Sequence, residues 1–173
     1  MPRSTKPPIP LWQKPLGNFF GANPSLSADK RLFEMKLKAF REQHERSNPK
    51  QVYLGRKGKF CYYRDEEFYE YKTYDPQTGR KAGELSLDDE HFLTGIYVEA
   101  GYQRQGIGTN LMNFANITNM SAKGARLIIA VGQEYNSRYR LTDQAMALAQ
   151  SCVQKGILDH DQLIGVSISS LDF

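Results

Sequence analysis

Apolar residues recur at helical spacing between Ser27 and Ser47, where Phe33, Leu37 and Phe40 continue a line begun by Leu26, and this predicts an amphipathic helix. Ser27 is a cap for its start, and Asn48-Pro49 stops it. The pattern then changes to short runs rich in Tyr and Phe. Gln51–Leu54, Lys59–Arg64 and Glu67–Tyr74, broken at Gly55, Gly58 and Asp75-Pro76, read as strands. Lys81–Leu87 is a further strand, and His91–Glu99 a stronger one with Phe92, Ile96 and Val98 on one side. Helical spacing returns over Gly106–Met120, with Leu111, Phe114, Ala115 and Thr118 facing inward. Arg126–Val131 is a continuous apolar run, which marks a central strand covered on both faces. Thr142–Lys155 predicts another amphipathic helix, capped by Thr142 and closed at Gly156, before a last strand over Leu163–Leu171.

The order of elements predicts an α/β domain whose later part contains a βαβ crossover. Ahead of it, residues 1–24 hold Pro2, Pro7, Pro8, Pro10, Pro15 and Pro24, and proline fixes φ and removes backbone donors. This stretch reads as an extended arm, and residues 25–173 as a single domain. Pro7 and Pro10 have the PxxP spacing that docks on aromatic grooves. Leu11, Trp12, Phe19 and Phe20 point instead to packing of the arm on its own domain.

Composition narrows the class. With 40% hydrophobic and 12% aromatic residues in 173, the chain can build a core, which excludes wholesale disorder. No apolar run approaches the roughly 20 residues of a membrane span, and the N-terminus lacks the apolar stretch of a secretory signal. Cys61 and Cys152, like His44, His91 and His160, are too scattered for a disulfide framework or a four-ligand zinc site. The expectation is a cytoplasmic protein, monomeric or homodimeric, with no metal and no membrane contact. Its charge is uneven: residues 1–59 carry 13 Lys/Arg against 4 Asp/Glu, and residues 60–99 carry 4 against 10. The basic front suits a macromolecular partner, and the acidic middle suits a cationic amine. Nucleic-acid binding through residues 1–59 is a weaker reading, because aromatics do not interleave with the basic positions as a stacking platform requires.

Candidate chemistry concentrates at Ile96-Tyr-Val-Glu-Ala-Gly-Tyr-Gln-Arg-Gln-Gly-Ile-Gly-Thr109, a strand running through a glycine loop into a helix. A helix start presents free N–H groups and the positive end of its dipole, a seat for phosphate. Glycines at 106 and 108 let a phosphate approach the backbone, and Gln103 and Arg104 flank it with donors. The loop is not a Walker motif, since no Gly-Lys-Ser/Thr follows. The third glycine of a dinucleotide fingerprint would fall at Leu111. The remaining pattern, Gln103-x-x-Gly106-x-Gly108, resembles the acyl-CoA pyrophosphate loop of the GCN5-related N-acetyltransferases, and the likeness extends over residues 90–158.

That resemblance implies a mixed, mostly antiparallel central sheet flanked by helices, with a parallel strand pair splayed at the acyl-CoA site. It implies acetyl-CoA as co-substrate, its pyrophosphate cradled by the backbone of Arg104, Gln105, Gly106, Ile107, Gly108 and Thr109 beside Gln103. Ile96, Tyr97 and Val98 would pair with the pantetheine arm. The reaction implied is acetyl transfer to a primary amine, on a protein or a small molecule, by direct attack on the thioester. Where many family members carry a Tyr that protonates the leaving thiolate, this chain has Cys152; Tyr135 and Tyr139 are rival acids. Glu90 is the favoured general base, with His91, Glu84 and Glu99 as alternatives, because strand alternation over 90–99 lets only one of Glu90 and His91 face the amine. The competing reading is a non-catalytic acyl-CoA-binding or protein-interaction module that uses the proline-rich arm.

Overall fold

A computed structural model describes residues 24–65, 67, 69–130 and 141–164. The chain divides into two compact units, Met1–Met35 and Lys36–Phe173. The described part of the first, residues 24–35, is helical and belongs to α1 (Pro24–Ser47), which starts a turn earlier than its sequence pattern predicts. The expected arm and the end of the last strand lie outside the described residues.

In the second unit, α1 continues with Leu37, Phe40 and His44 one or two turns apart on a common side. His44 is buried, its ring 4.4 Å from those of Tyr63 and Tyr74 and stacked on Phe40 at 5.3 Å. Its Nε2 meets Gln51 Oε1 at 2.8 Å. The Asn48 amide and side chain both donate to the His44 carbonyl, which ends the helix ahead of Pro49.

Five antiparallel strands follow in sequential order: β1 (Gln51–Lys57), β2 (Phe60–Asp65), β3 (Glu70–Tyr74), β4 (Lys81–Leu87) and β5 (Leu93–Val98). β1 passes through the break expected at Gly55. The register slips between Tyr53 and Gly55, and Gly55, at φ +146°, lies where a side chain would meet the Phe114 ring at 3.5 Å. Then come α2 (Ile107–Lys123), β6 (Ile129–Ala130), α3 (Asp143–Gln154) and β7 (Leu163–Ile164). β6 and β7 form a parallel pair. The cross-strand register places Tyr62, Tyr71, Leu85 and Leu87 on the face covered by α2, where Leu111, Met112 and Ala115 complete the core with Leu127 and Ile129.

One irregularity matters for function. Ser86 pairs with Gly95 but Leu87 with Leu93, so β5 carries one extra residue, Thr94, whose hydroxyl donates to the Ser86 carbonyl at 3.0 Å. This β-bulge resets the alternation. Leu93, fully buried, joins Ile96 and Val98 on the α2 side, and Phe92 does not. Among the described residues β5 and β6 belong to separate sheets, and the segments leading into them share one parallel bridge, Phe92 with Ile128, in which Leu93 N–H donates to Ile128 C=O and Ile128 N–H to His91 C=O. The apolar run expected as a full strand over 126–131 is therefore extended at Ile128–Ala130 only, among the described residues.

Candidate active site

The loop after β5 is shaped by two left-handed residues, Arg104 (φ +60°) and Gly106 (φ +76°). Gly106 is the N-cap of α2, no side chain caps the helix there, and its first turn holds no acidic residue. The first-turn N–H groups are thus left for an anion at the positive end of the dipole. Gly108, buried in that turn, lies close against α3: a Cβ there would sit 2.8 Å from Leu148 Cδ2, and the leucine would have to shift. Ahead of the loop a short helical turn, Ala100–Tyr102, is tied down where the Tyr102 hydroxyl meets Thr78 Oγ1 at 3.2 Å.

β5 supplies the other wall. Glu99 N–H donates to Ala82 C=O at 3.0 Å, and Tyr97 stands opposite Glu84. On the alternating antiparallel pattern these odd-numbered residues bond β4, so the N–H and C=O of Ile96 and Val98 point to the opposite edge. Gln103 Nε2 reaches the Val98 carbonyl there at 3.4 Å. The result is a cleft of about 340 Å³ between β5, the loop, the start of α2 and one side of α3. Nine of the ten residues expected to hold the cofactor line it: Ile96, Tyr97, Val98, Gln103, Arg104, Gly106, Ile107, Gly108 and Thr109. Gln105 does not; its side chain turns back to the Gly101 carbonyl. The sequence pattern missed the α3 wall of Thr142, Gln144, Ala145 and Leu148. Thr142 also caps α3 by accepting the Ala145 N–H at 3.2 Å, so the cap was legible and its second role was not.

The arrangement suits a long, anionic, flexible ligand. Free helix N–H groups can bind phosphate, the open strand edge can pair with amides, and Ile96, Ala145 and Leu148 offer apolar contact.

The expected catalytic residues are not all brought together. Cys152 is fully buried in the core and absent from the cleft wall, and burial pushes its thiol pKa up. It packs within the core cluster. Cys61 is equally buried, and burial raises its thiol to about 11. Neither thiol should react with an aromatic disulfide reagent at about pH 8 in the native protein, and both should react once it is unfolded. Fast native labelling of Cys152 would contradict the packing. Tyr135 and Tyr139 lie outside the described residues.

Glu90 and His91 do not alternate along a strand, because β5 begins only at Leu93. They lie on a turn organised by buried Asp88, whose Oδ1 accepts the N–H of Glu90 (3.0 Å) and of Phe92 (2.8 Å). Glu90 is exposed. His91 is half-buried at φ +70°, a left-handed conformation that costs a non-glycine residue energy. Its ring meets Tyr69 edge-on at 6.4 Å, and its buried Nδ1 has no hydrogen-bond partner. Glu84 and Glu99 share the other face of the sheet with exposed Tyr97. The Glu99 carboxylate raises the Tyr97 pKa and accepts its hydroxyl at 3.3 Å, while Glu84 is paired with Lys81 at 2.5 Å. Among the described residues no group of three His, Cys, Asp or Glu could hold a metal ion, and no helix is long and apolar enough to cross a membrane.

Strand, glycine turn, the start of α2 and one side of α3 thus meet around a single cleft, the one described above. The family model for acetyltransferases of the GNAT type matches residues 30–141, and the chain belongs to that family. It is therefore an acyl-CoA-dependent N-acetyltransferase. No curated protein and no solved structure matches it.

Proposed function

We propose that the cleft is the acetyl-CoA site and that the chain acetylates a primary amine, on a peptide or on a small cationic molecule, by direct attack on the thioester. The observation that carries this reading is the convergence of the glycine turn and the outward-facing backbone of Ile96 and Val98 on one cleft. Backbone N–H groups from Arg104 through Thr109 take the pyrophosphate. The free edge of β5 pairs with the pantetheine amides and orients the carbonyl for attack near the bulge. As the C–N bond forms and the C–S bond breaks, the acceptor ammonium loses two protons in all. One ends on the departing sulfur and the other on a base of the protein.

For that base the geometry favours His91 over Glu90. His91 lies at the bridge between the segments leading into β5 and β6, and its buried Nδ1 has no hydrogen-bond partner; Glu90 is exposed on a surface turn. The groups around it are Asp88 in its own turn and the Tyr69 ring. Turnover is followed by release of free thiol from acetyl-CoA, with spermidine and a blocked lysine peptide as acceptors. His91→Gln should lower kcat/KM by about 10²-fold or more, whereas Glu90→Gln should leave it within about threefold. The reverse outcome would return the role to Glu90. Failure of acetyl-CoA and CoA to raise the unfolding temperature of the wild type would overturn the reading of the cleft itself.

A further inference from the structure

We propose that Lys57, Lys59 and Arg104 form a binding site for the 3′-phosphate on the ribose of CoA. The inference rests on the acetyl-CoA reading of the cleft and extends it to the far end of the ligand. Coenzyme A carries a third phosphate besides its diphosphate, and a single helix start does not neutralise all of them. Of the described residues that line the cleft, Arg104 alone is cationic, and the α3 side offers Thr142 and Gln144 next to the acidic Asp143. Further positive charge has to come from the other border of the loop.

That border is the tip of the β1–β2 hairpin. Lys57 stands directly opposite Phe60 in the register and is exposed. The Lys59 ammonium lies 5.0 Å from the centre of the Phe60 ring and 5.7 Å from that of Tyr102. Phe60 packs edge-on against Tyr102 at 5.7 Å, and Tyr102 immediately precedes Gln103 and Arg104. Two residues beyond Phe60, the Tyr62 hydroxyl accepts a hydrogen bond from Asn110 in the first turn of α2 at 3.2 Å. The two lysines therefore border the same helix start that takes the diphosphate. Asp75 holds Lys59 by a single contact at 3.8 Å, which positions the ammonium and leaves it donors to spare, with its side chain 42% exposed. Two ammonium groups and a guanidinium suit a phosphate dianion.

The test is calorimetric titration of the full chain with CoA and with 3′-dephospho-CoA, which differ only in that phosphate. The wild type should bind CoA about 3- to 10-fold more tightly, the scale expected of exposed charge pairs. The double variant Lys57→Ala/Lys59→Ala should lose that preference while holding its affinity for 3′-dephospho-CoA within about twofold, which also shows that it folds. Arg104→Ala should lower the preference in the same way. Equal wild-type affinities, or variants that weaken both ligands alike, would overturn the proposal and assign the lysines to another anion. Binding of neither ligand would mean that the cleft reading had failed first.

Discussion

Gly108→Glu is expected to abolish the rise in unfolding temperature that acetyl-CoA gives the wild type and to cut acetyl transfer by at least about 100-fold. Two causes act together. Even the first carbon of a side chain at this position would come within 2.8 Å of Leu148 Cδ2 and 3.9 Å of Ile96 Cδ1, so the new residue fills the space between β5, α2 and α3. The added carboxylate also brings a negative charge to a helix start that a diphosphate would otherwise occupy. Ligand at about 100 times its dissociation constant stabilises a protein by roughly 2.7 kcal/mol, which moves the midpoint of a chain this size by several degrees. The measurement is thermal unfolding with acetyl-CoA, CoA and NADH, in which the first two shift the wild type and none shifts the variant. Gly108→Ala separates the causes. Its clash is with the end of a flexible leucine, which can rotate away, so about tenfold weaker binding with a retained shift at high ligand is expected. A Gly108→Glu protein that still gains the full shift would place the acyl-CoA elsewhere.

What the sequence made legible is what local physics dictates. Helical spacing located α1, α2 and α3 to within a turn. The family resemblance carried by the glycine loop and the strand before it pointed to nine residues that line the cleft, because glycine at a tight helix start leaves its mark in residue type. The extra residue at Thr94 left no such mark. Threonine suits a regular strand as well as a bulge, and only the register against β4 shows that alternation is reset there. That is why Phe92 was expected beside Ile96 and Val98 when Leu93 takes the place, and why Glu90 and His91 were read on a strand they do not join. The α3 wall depends on how two helices pack, which no local pattern encodes. His44 belongs to the same class: a polar residue continuing an apolar stripe reads as surface until the Tyr63 and Tyr74 rings that enclose it are known. For Cys152, position within a family motif pointed to the cleft, but burial and a raised pKa make it a packing residue.

Gly83→Ala should be the most destabilising single-methyl change in the sheet, and its cost should reach the active site. Gly83 is buried on β4 opposite Val98, on the face that α2 covers. A Cβ there would meet the Tyr97 carbonyl oxygen at 2.9 Å, Ile107 Cγ2 at 3.0 Å and Leu111 Cδ1 at 3.5 Å. The tightest of these is backbone, and Tyr97 belongs to the strand whose other edge forms the cleft. A carbonyl of β5 cannot withdraw without opening its ladder to β4, and Ile107 cannot withdraw without moving the N-terminus of α2. Overpacking of this kind costs about 1–3 kcal/mol, and the backbone contact argues for the upper end, a fall of about 5–10 °C in Tm. Because both structures that would relax are walls of the cleft proposed to take acetyl-CoA, acetyl-CoA affinity should fall as well, which a remote core defect of equal cost would not cause. Gly95→Ala is the control on the partner strand: nothing lies within 4 Å of a Cβ there and its φ is not left-handed, so a change within about 0.5 kcal/mol is expected. Chemical denaturation of both variants, with and without acetyl-CoA, checks the pair. Equal stability of the two would mean that β4 and β5 are looser than their register implies, and the wall they build could then not hold a pantetheine arm in one place.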